Sequence, residues 1–287
     1  MEQGAASMPE LSKRRTILWR TPVPPSFANF IGRKLIRFFF TLQGLGAFAL
    51  ITLGVMFTKF GTSSRVIGPL VRAQLIRSGV RLVPMTLFVS VALGLVIIGQ
   101  TLSLLQRAST TQFLGTVMVT VVVRELGPVL TALIVLARVG AATVMELGTA
   151  RALGEVEALE ALGIDPIHYL VVPRVVGMAS GIFTLTIYMI LGALISGYMW
   201  AFFQDVPLRP GDYLLQLAGS LRPLDFVALV VKTCLFGAII AIVTCYHGLA
   251  QPLQLEEVSG ATIRAVAQSI ILCMLLDAAF ILIYLVA

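Results

Sequence analysis

Apolar residues in this chain fall in long unbroken runs, and the polar residues collect between them. The runs cover about 82–105, 113–146, 175–203, 226–246 and 265–287. Each passes the roughly 18 residues a helix needs to cross a bilayer. Membrane β-barrel strands alternate apolar and polar positions instead, so strands are not expected. Residues 28–42 have a different pattern. Ile31, Leu35, Phe38 and Leu42 share one helical face, and Arg33 and Arg37 lie opposite, which predicts a helix lying in the membrane interface. The expected fold is all-α: a polytopic membrane protein with an N-terminal interfacial or re-entrant helix over 28–60, five transmembrane helices and a short helix between the second and third.

The charges between the runs orient them. Phe38–Phe60 is apolar enough to span, but basic clusters flank it on both sides, Lys13 to Arg37 before and Lys59 to Arg81 after. A simple span would place one cluster outside, against the positive-inside bias, so this stretch is read as interfacial or re-entrant. With the first span running outward from Leu82, the N-terminus is inside and the C-terminus outside. Only Arg107, Arg209 and Arg222 then lie outside, and Arg124, Arg138 and Lys232 lie within spans, while the rest of the 21 Lys and Arg residues lie inside. Residues 1–27, basic and interrupted by Pro22, Pro24 and Pro25, form a cytoplasmic tail ahead of a single membrane domain, 28–287. They hold no apolar h-region of a secretory signal.

Composition sharpens this picture. Charged residues make up 12% of the chain, about half the share in a soluble domain. The net charge of +7 is read as a topology signal, and no nucleic-acid partner is expected. Cys234, Cys245 and Cys273 all sit in apolar runs without metal or disulfide spacing. His168 and His247 are isolated. There is no P-loop, H-E-x-x-H or G-x-S-x-G motif. The chain is therefore expected to be no enzyme, to hold no metal and to need no cofactor of its own.

The candidate chemistry is intramembrane charge. Arg124 and Glu125 stand beside Gly127-Pro128, which should kink a segment too long for one straight span. An ionisable group in hydrocarbon is costly and points to function. Arg124, Glu125 and Arg138 are candidates to line a cavity for a lipid headgroup or another anionic moiety; the plain alternative is a local ion pair that fixes the kink. Arg138 lies about four turns from Arg124 and could share its face. It is expected to pair with Asp277 across helices, and Lys232 to snorkel to the nearer membrane surface. Asp277 and Lys232 are taken as structural charges. Thr149–Leu162 reads as a short acidic helix, capped by Gly163 and stopped by Asp165-Pro166. Its Glu155, Glu157 and Glu160, with Asp165, are candidates to dock a partner with a basic groove. Gly177-x-x-x-Gly181, Gly192, Gly197 and Gly140 mark close helix packing.

Four stretches carry a resemblance: Arg124-Glu125-Leu126-Gly127-Pro128-Val129, Ala137-Arg138-Val139-Gly140-Ala141-Ala142, Glu146-Leu147-Gly148-Thr149, and Glu157 to Pro166 running on to Tyr169–Arg174. Over roughly residues 65–287 the chain resembles the MlaE family, permease subunits of the ABC systems that work with MCE-domain lipid-binding proteins. The resemblance implies a homodimer in the bacterial inner membrane. It implies two cytoplasmic ABC ATPase subunits, which bind the ATP and Mg, docked on the helix at about Thr149–Leu162. It also implies a periplasmic MCE-protein ring and a phospholipid cargo in a cavity beside Arg124 and Glu125. The Pro-rich tail matches no family motif. Two other classes compete: an ion-coupled secondary transporter of an amphipathic or anionic substrate, and a lipid-modifying membrane enzyme, which lacks a nucleophile or metal set here.

Overall fold

A chain that crosses hydrocarbon has to satisfy its backbone groups internally, and every regular element among the described residues is helical. The computed structural model describes residues 43–56, 58, 64–107, 114–204, 210–249 and 254–286. The tail over 1–27 and the period expected over 28–42 lie outside them. The chain divides after Gly44, and the larger unit runs from Leu45 onward. Among the described residues, five helices are long and apolar enough to cross a membrane: Ile67–Thr101, Gly115–Ala152, Ile167–Phe203, Pro223–Leu249 and Leu255–Leu285. A shorter apolar helix, Gln43–Met56, precedes them.

In chain order the helices are α1 (Gln43–Met56), α2 (Ser64–Ser78), α3 (Val83–Arg107), α4 (114–152), α5 (Glu155–Ala161), α6 (Ile167–Phe203), α7 (Pro210–Ser220), α8 (Pro223–Leu249) and α9 (Val258–Val286). Two of these form where the sequence pattern predicts only connections. α2 occupies the basic stretch before the first span, and α7 forms inside the connection 204–225. α2 meets α3 through Gly79 and one 3-10 turn, Val80–Leu82. Pro84 explains the break, because it has no N–H to offer the carbonyl of Val80.

α6 is the central element. The small residues of its sequence let other helices approach to backbone distance. Gly177 and Gly181 lie against Gln74 and Ser78 of α2, where an added methyl would come within 2.6 Å of either side chain. The Ser78 hydroxyl uses that closeness to donate to the Gly177 carbonyl at 2.8 Å. Gly192 faces Ser90, and Gly197 faces Ile98, both on α3. The spaced glycines therefore pack helices within one chain. On its other side α6 meets α8 at Gly237, where a Cβ would lie 2.4 Å from the Ala179 Cα. Met178, Ile182, Leu185, Met189, Phe236 and Ile240 fill the core around that crossing. In lipid such contacts act by close packing, since there is no water to expel between helices.

The packing makes a direct prediction. Gly237→Ala forces α6 and α8 apart and should cost about 1–3 kcal/mol, seen as a lower Tm in detergent. Gly68→Ala adds its methyl to open space and should leave Tm unchanged or raise it. Equal Tm values for the two variants would mean that the crossing is not tight.

Candidate functional site

The site is built on α4, which is not a regular α-helix. Two π-helical stretches, Val119–Leu126 and Leu136–Gly140, flank the α-helical segment Gly127–Val135. The Gly127 N–H bonds to the Val122 carbonyl, five residues back. A side chain at Gly127 would collide with that carbonyl and with Ile190, so glycine is required there. Pro128 has no N–H to offer the carbonyl four residues earlier, which belongs to Arg124. A buried carbonyl without a donor is costly, and here the Lys232 ammonium supplies the donor, at 2.8 Å.

Lys232 anchors a cluster of five charges. Its Nζ lies 2.9 Å from Glu125 Oε2 and 2.6 Å from Asp277 Oδ1, and its side chain is only 2% exposed. Beside it, Arg124 Nη2 donates to Asp225 Oδ2 at 2.9 Å, and its guanidinium sits over the Tyr284 ring, 5.2 Å from the centroid. The buried Asp225 carboxylate also accepts the Arg222 backbone N–H at 2.9 Å. The cluster thus ties α4, α8 and α9 together. In so dry a setting, removing one partner of a pair costs about 3–5 kcal/mol, because the other charge is stranded. Val123, Arg124, Asp225, Leu229, Lys232 and Tyr284 line a narrow cleft here.

The arrangement corrects three expectations. Arg124 and Glu125 do not pair with each other; each reaches across to another helix. Lys232 does not snorkel but is buried among acceptors. Asp277 pairs with Lys232, and Arg138 is exposed and enters no ion pair among the described residues. The reason for the last is register. A π turn spends more residues per turn than an α turn, so the two in α4 rotate Arg138 off the face that Arg124 occupies. Asp225 was missed altogether. Its local signal was modest, an acidic residue in the first turn of α8 after Pro223, and only the fold brings Arg124 to it.

The acidic helix is shorter than its sequence pattern. Gly154 adopts φ +77°, so Thr149–Ala152 belongs to the end of α4 and the separate helix is α5, Glu155–Ala161. Val156 is buried and pins it. Glu155, Glu157 and Glu160 point outward, and Glu157 pairs with Arg151 at 3.2 Å. Gly163 (φ +75°) closes α5 as expected: Ile164 N–H reaches the Leu159 carbonyl and Gly163 N–H that of Glu160. Asp165 Oδ1 accepts the Ile167 N–H at 3.0 Å, starting α6. Leu153 and Leu162, both well exposed, border the acidic face.

A second cavity, about 450 Å³, opens between α6 and α7 and is lined by Leu191, Leu194, Tyr198, Tyr213, Leu217 and Leu221 among others. It is apolar apart from the two tyrosines. Burial pushes the Tyr213 hydroxyl up to about 12, so it stays protonated and donates to the Leu194 carbonyl at 3.4 Å. Elsewhere, His247 Nε2 contacts Gln268 Oε1 at 2.6 Å, and Cys245 and Cys273 are free and buried.

Comparison with known proteins agrees with this architecture. The family model described as Permease MlaE matches residues 70–283. A "Probable ABC transporter permease protein" of Rickettsia felis is 33% identical over 258 residues, covering 87% of this chain and 94% of its own. A protein of the same description from Synechocystis is 37% identical over 169 residues, 57% of this chain and 61% of its own. The Arabidopsis thaliana protein TRIGALACTOSYLDIACYLGLYCEROL 1, chloroplastic, is 30% identical over 203 residues, 69% of this chain and 56% of its own. With a match across nearly all of its membrane-embedded length, the chain belongs to the MlaE permease family.

Proposed function

We propose that this chain is the permease subunit of an ABC system that moves lipids, most simply phospholipids, between the inner membrane and a periplasmic MCE-domain carrier, driven by a separate ATPase. In this reading it works as a homodimer with two ATPase subunits on its cytoplasmic face. Its N-terminus is cytoplasmic and its C-terminus periplasmic. The observation that carries the proposal is the make-up of α4. One helix holds the charged cluster, Arg124 and Glu125, about ten residues from one end, and passes at its other end directly into α5. About 40 Å separates the two at 1.5 Å per residue. A push at α5 is thereby delivered to a cluster that also grips α8 and α9. Membership of an ABC permease family supports an ATPase partner, and the lipid in the Arabidopsis relative's name supports a lipid cargo. The same membership sets aside the ion-coupled secondary transporter.

In the mechanism this supports, α5 is the docking element. Its glutamates and the flanking Leu153 and Leu162 offer an acidic face with an apolar border, suited to a basic groove with apolar walls. Arg124, its side chain 21% exposed, is the cation of the cluster open to an anionic headgroup, while the acyl chains need only apolar surface, such as that between α6 and α7. Direct capture of a headgroup by Arg124 would compete with Asp225 for its guanidinium.

Two measurements test this reading. Changing Glu157 and Glu160 together to Lys should abolish co-purification of the ATPase while leaving stability within about 1 kcal/mol of the parent, since the exposed Glu157–Arg151 pair is worth no more. Undiminished capture would remove α5 from the docking role. For the cluster, Arg124→Gln alone should lower Tm by stranding Asp225. The double change Arg124→Gln with Asp225→Asn should recover most of that loss, as expected of a coupled pair. Lipid cross-linking should stay low in both. Full cross-linking in the refolded double variant would leave Arg124 with a structural role alone.

A further inference from the structure

The geometry points to a binding site for one exchangeable proton, shared by the Glu125 and Asp277 carboxyl groups beside Lys232 and latching α9 to α4. Counting charges locates it. Lys232 faces three acceptors: the Arg124 carbonyl, Glu125 Oε2 and Asp277 Oδ1, at 2.8, 2.9 and 2.6 Å. Its hydrogen bonds go to the Arg124 carbonyl and Glu125 Oε2, and Asp277 Oδ1 stands beside it as a second ion-pair partner. Arg124 is always charged, and its partner is Asp225, which also accepts the Arg222 N–H. That pair is balanced by itself.

One ammonium and two carboxyl groups remain. Glu125 and Asp277 approach the same buried nitrogen, at 2.9 and 2.6 Å, which makes the two carboxyl groups close neighbours. Two ionised carboxylates have no hydrogen to place between them and repel; one proton between them makes a hydrogen bond. The same proton removes the excess negative charge that three carboxylates and two cations would otherwise leave in a dry cluster. The balance is simple: a carboxylate oxygen takes a proton from water, and the triad of Lys232, Glu125 and Asp277 goes from a net charge of −1 to zero.

The other groups facing the site do not supply that charge. On α4, Arg138 is exposed and unpaired among the described residues. On α8 the charged groups are Asp225 and Lys232, already assigned. On α9, Tyr284 lies against Arg124, and Cys273, one turn from Asp277, is a buried free thiol. Losing the proton would set two like charges face to face and loosen α9 from α4.

The site is testable without lipid cargo or ATPase, so its outcome is separate from that of the transport reading. Infrared spectra of the full chain in nanodiscs at pH 7 should contain a protonated-carboxyl C=O band that shifts in D2O. Glu125→Gln and Asp277→Asn should each abolish it, because the remaining acid then pairs one-to-one with Lys232 and ionises. No such band in the parent protein, or a band that survives either substitution, would overturn the proposal. Should a variant fail to fold, the parent protein labelled with ¹³C-carboxyl glutamate or aspartate decides instead: the band should move with each label, and a band indifferent to either overturns the shared proton.

Discussion

Proline at position 128 leaves the carbonyl of Arg124 without its helical donor, and the Lys232 ammonium donates to it instead. Much of the membrane-embedded architecture depends on that exchange of donors. A lysine buried in a dry helix bundle is tolerated only with its hydrogen-bonding capacity filled. The freed carbonyl and Glu125 accept hydrogen bonds from it, and Asp277 adds a second ion pair. The helix break, the buried lysine and the two acids are therefore one device. Removing any part of it leaves another part unsatisfied, so it specifies how α4, α8 and α9 meet.

The surrounding packing makes that device possible. α6 brings small residues to two faces, so that α2, α3 and α8 can close on it at backbone distance. Close packing substitutes for the hydrophobic drive that a membrane interior lacks. It holds α8 in the register that puts Asp225 opposite Arg124 and Lys232 opposite Glu125. At the far end of α4 the left-handed Gly154 turns the chain out into α5. The charged cluster and the acidic helix thus stand on one continuous element, one within the bundle and one at its edge.

Helical character, the five long apolar helices and the acidic element before Gly163 could all be read from residue order. These are local properties: run length, the periodicity of apolar positions, and glycine and proline at their termini. Features with several causes at once were not legible in that way. The extent of α5 depended on Gly154, a residue that a helical pattern tolerates and that here takes a left-handed conformation. Arg138 lies on a different face from the one its spacing predicts, because 3.6 residues per turn does not hold throughout α4, which departs from it twice.

The sequence by itself determined that this is a membrane-spanning helical chain of the MlaE kind with charge inside its second span, because hydrophobic run length and the order of charged, glycine and proline residues are properties of the chain alone. The tertiary structure decided which charges meet. Arg124 and Asp225 are about a hundred positions apart, as are Glu125 and Lys232, and nothing in residue order ranks those partners above Arg138. The choice was made by the rotation of each helix, set by two π turns and by glycine contacts on α6. A few degrees of rotation per residue, accumulated along a span, separate a buried ion pair from an arginine on the surface.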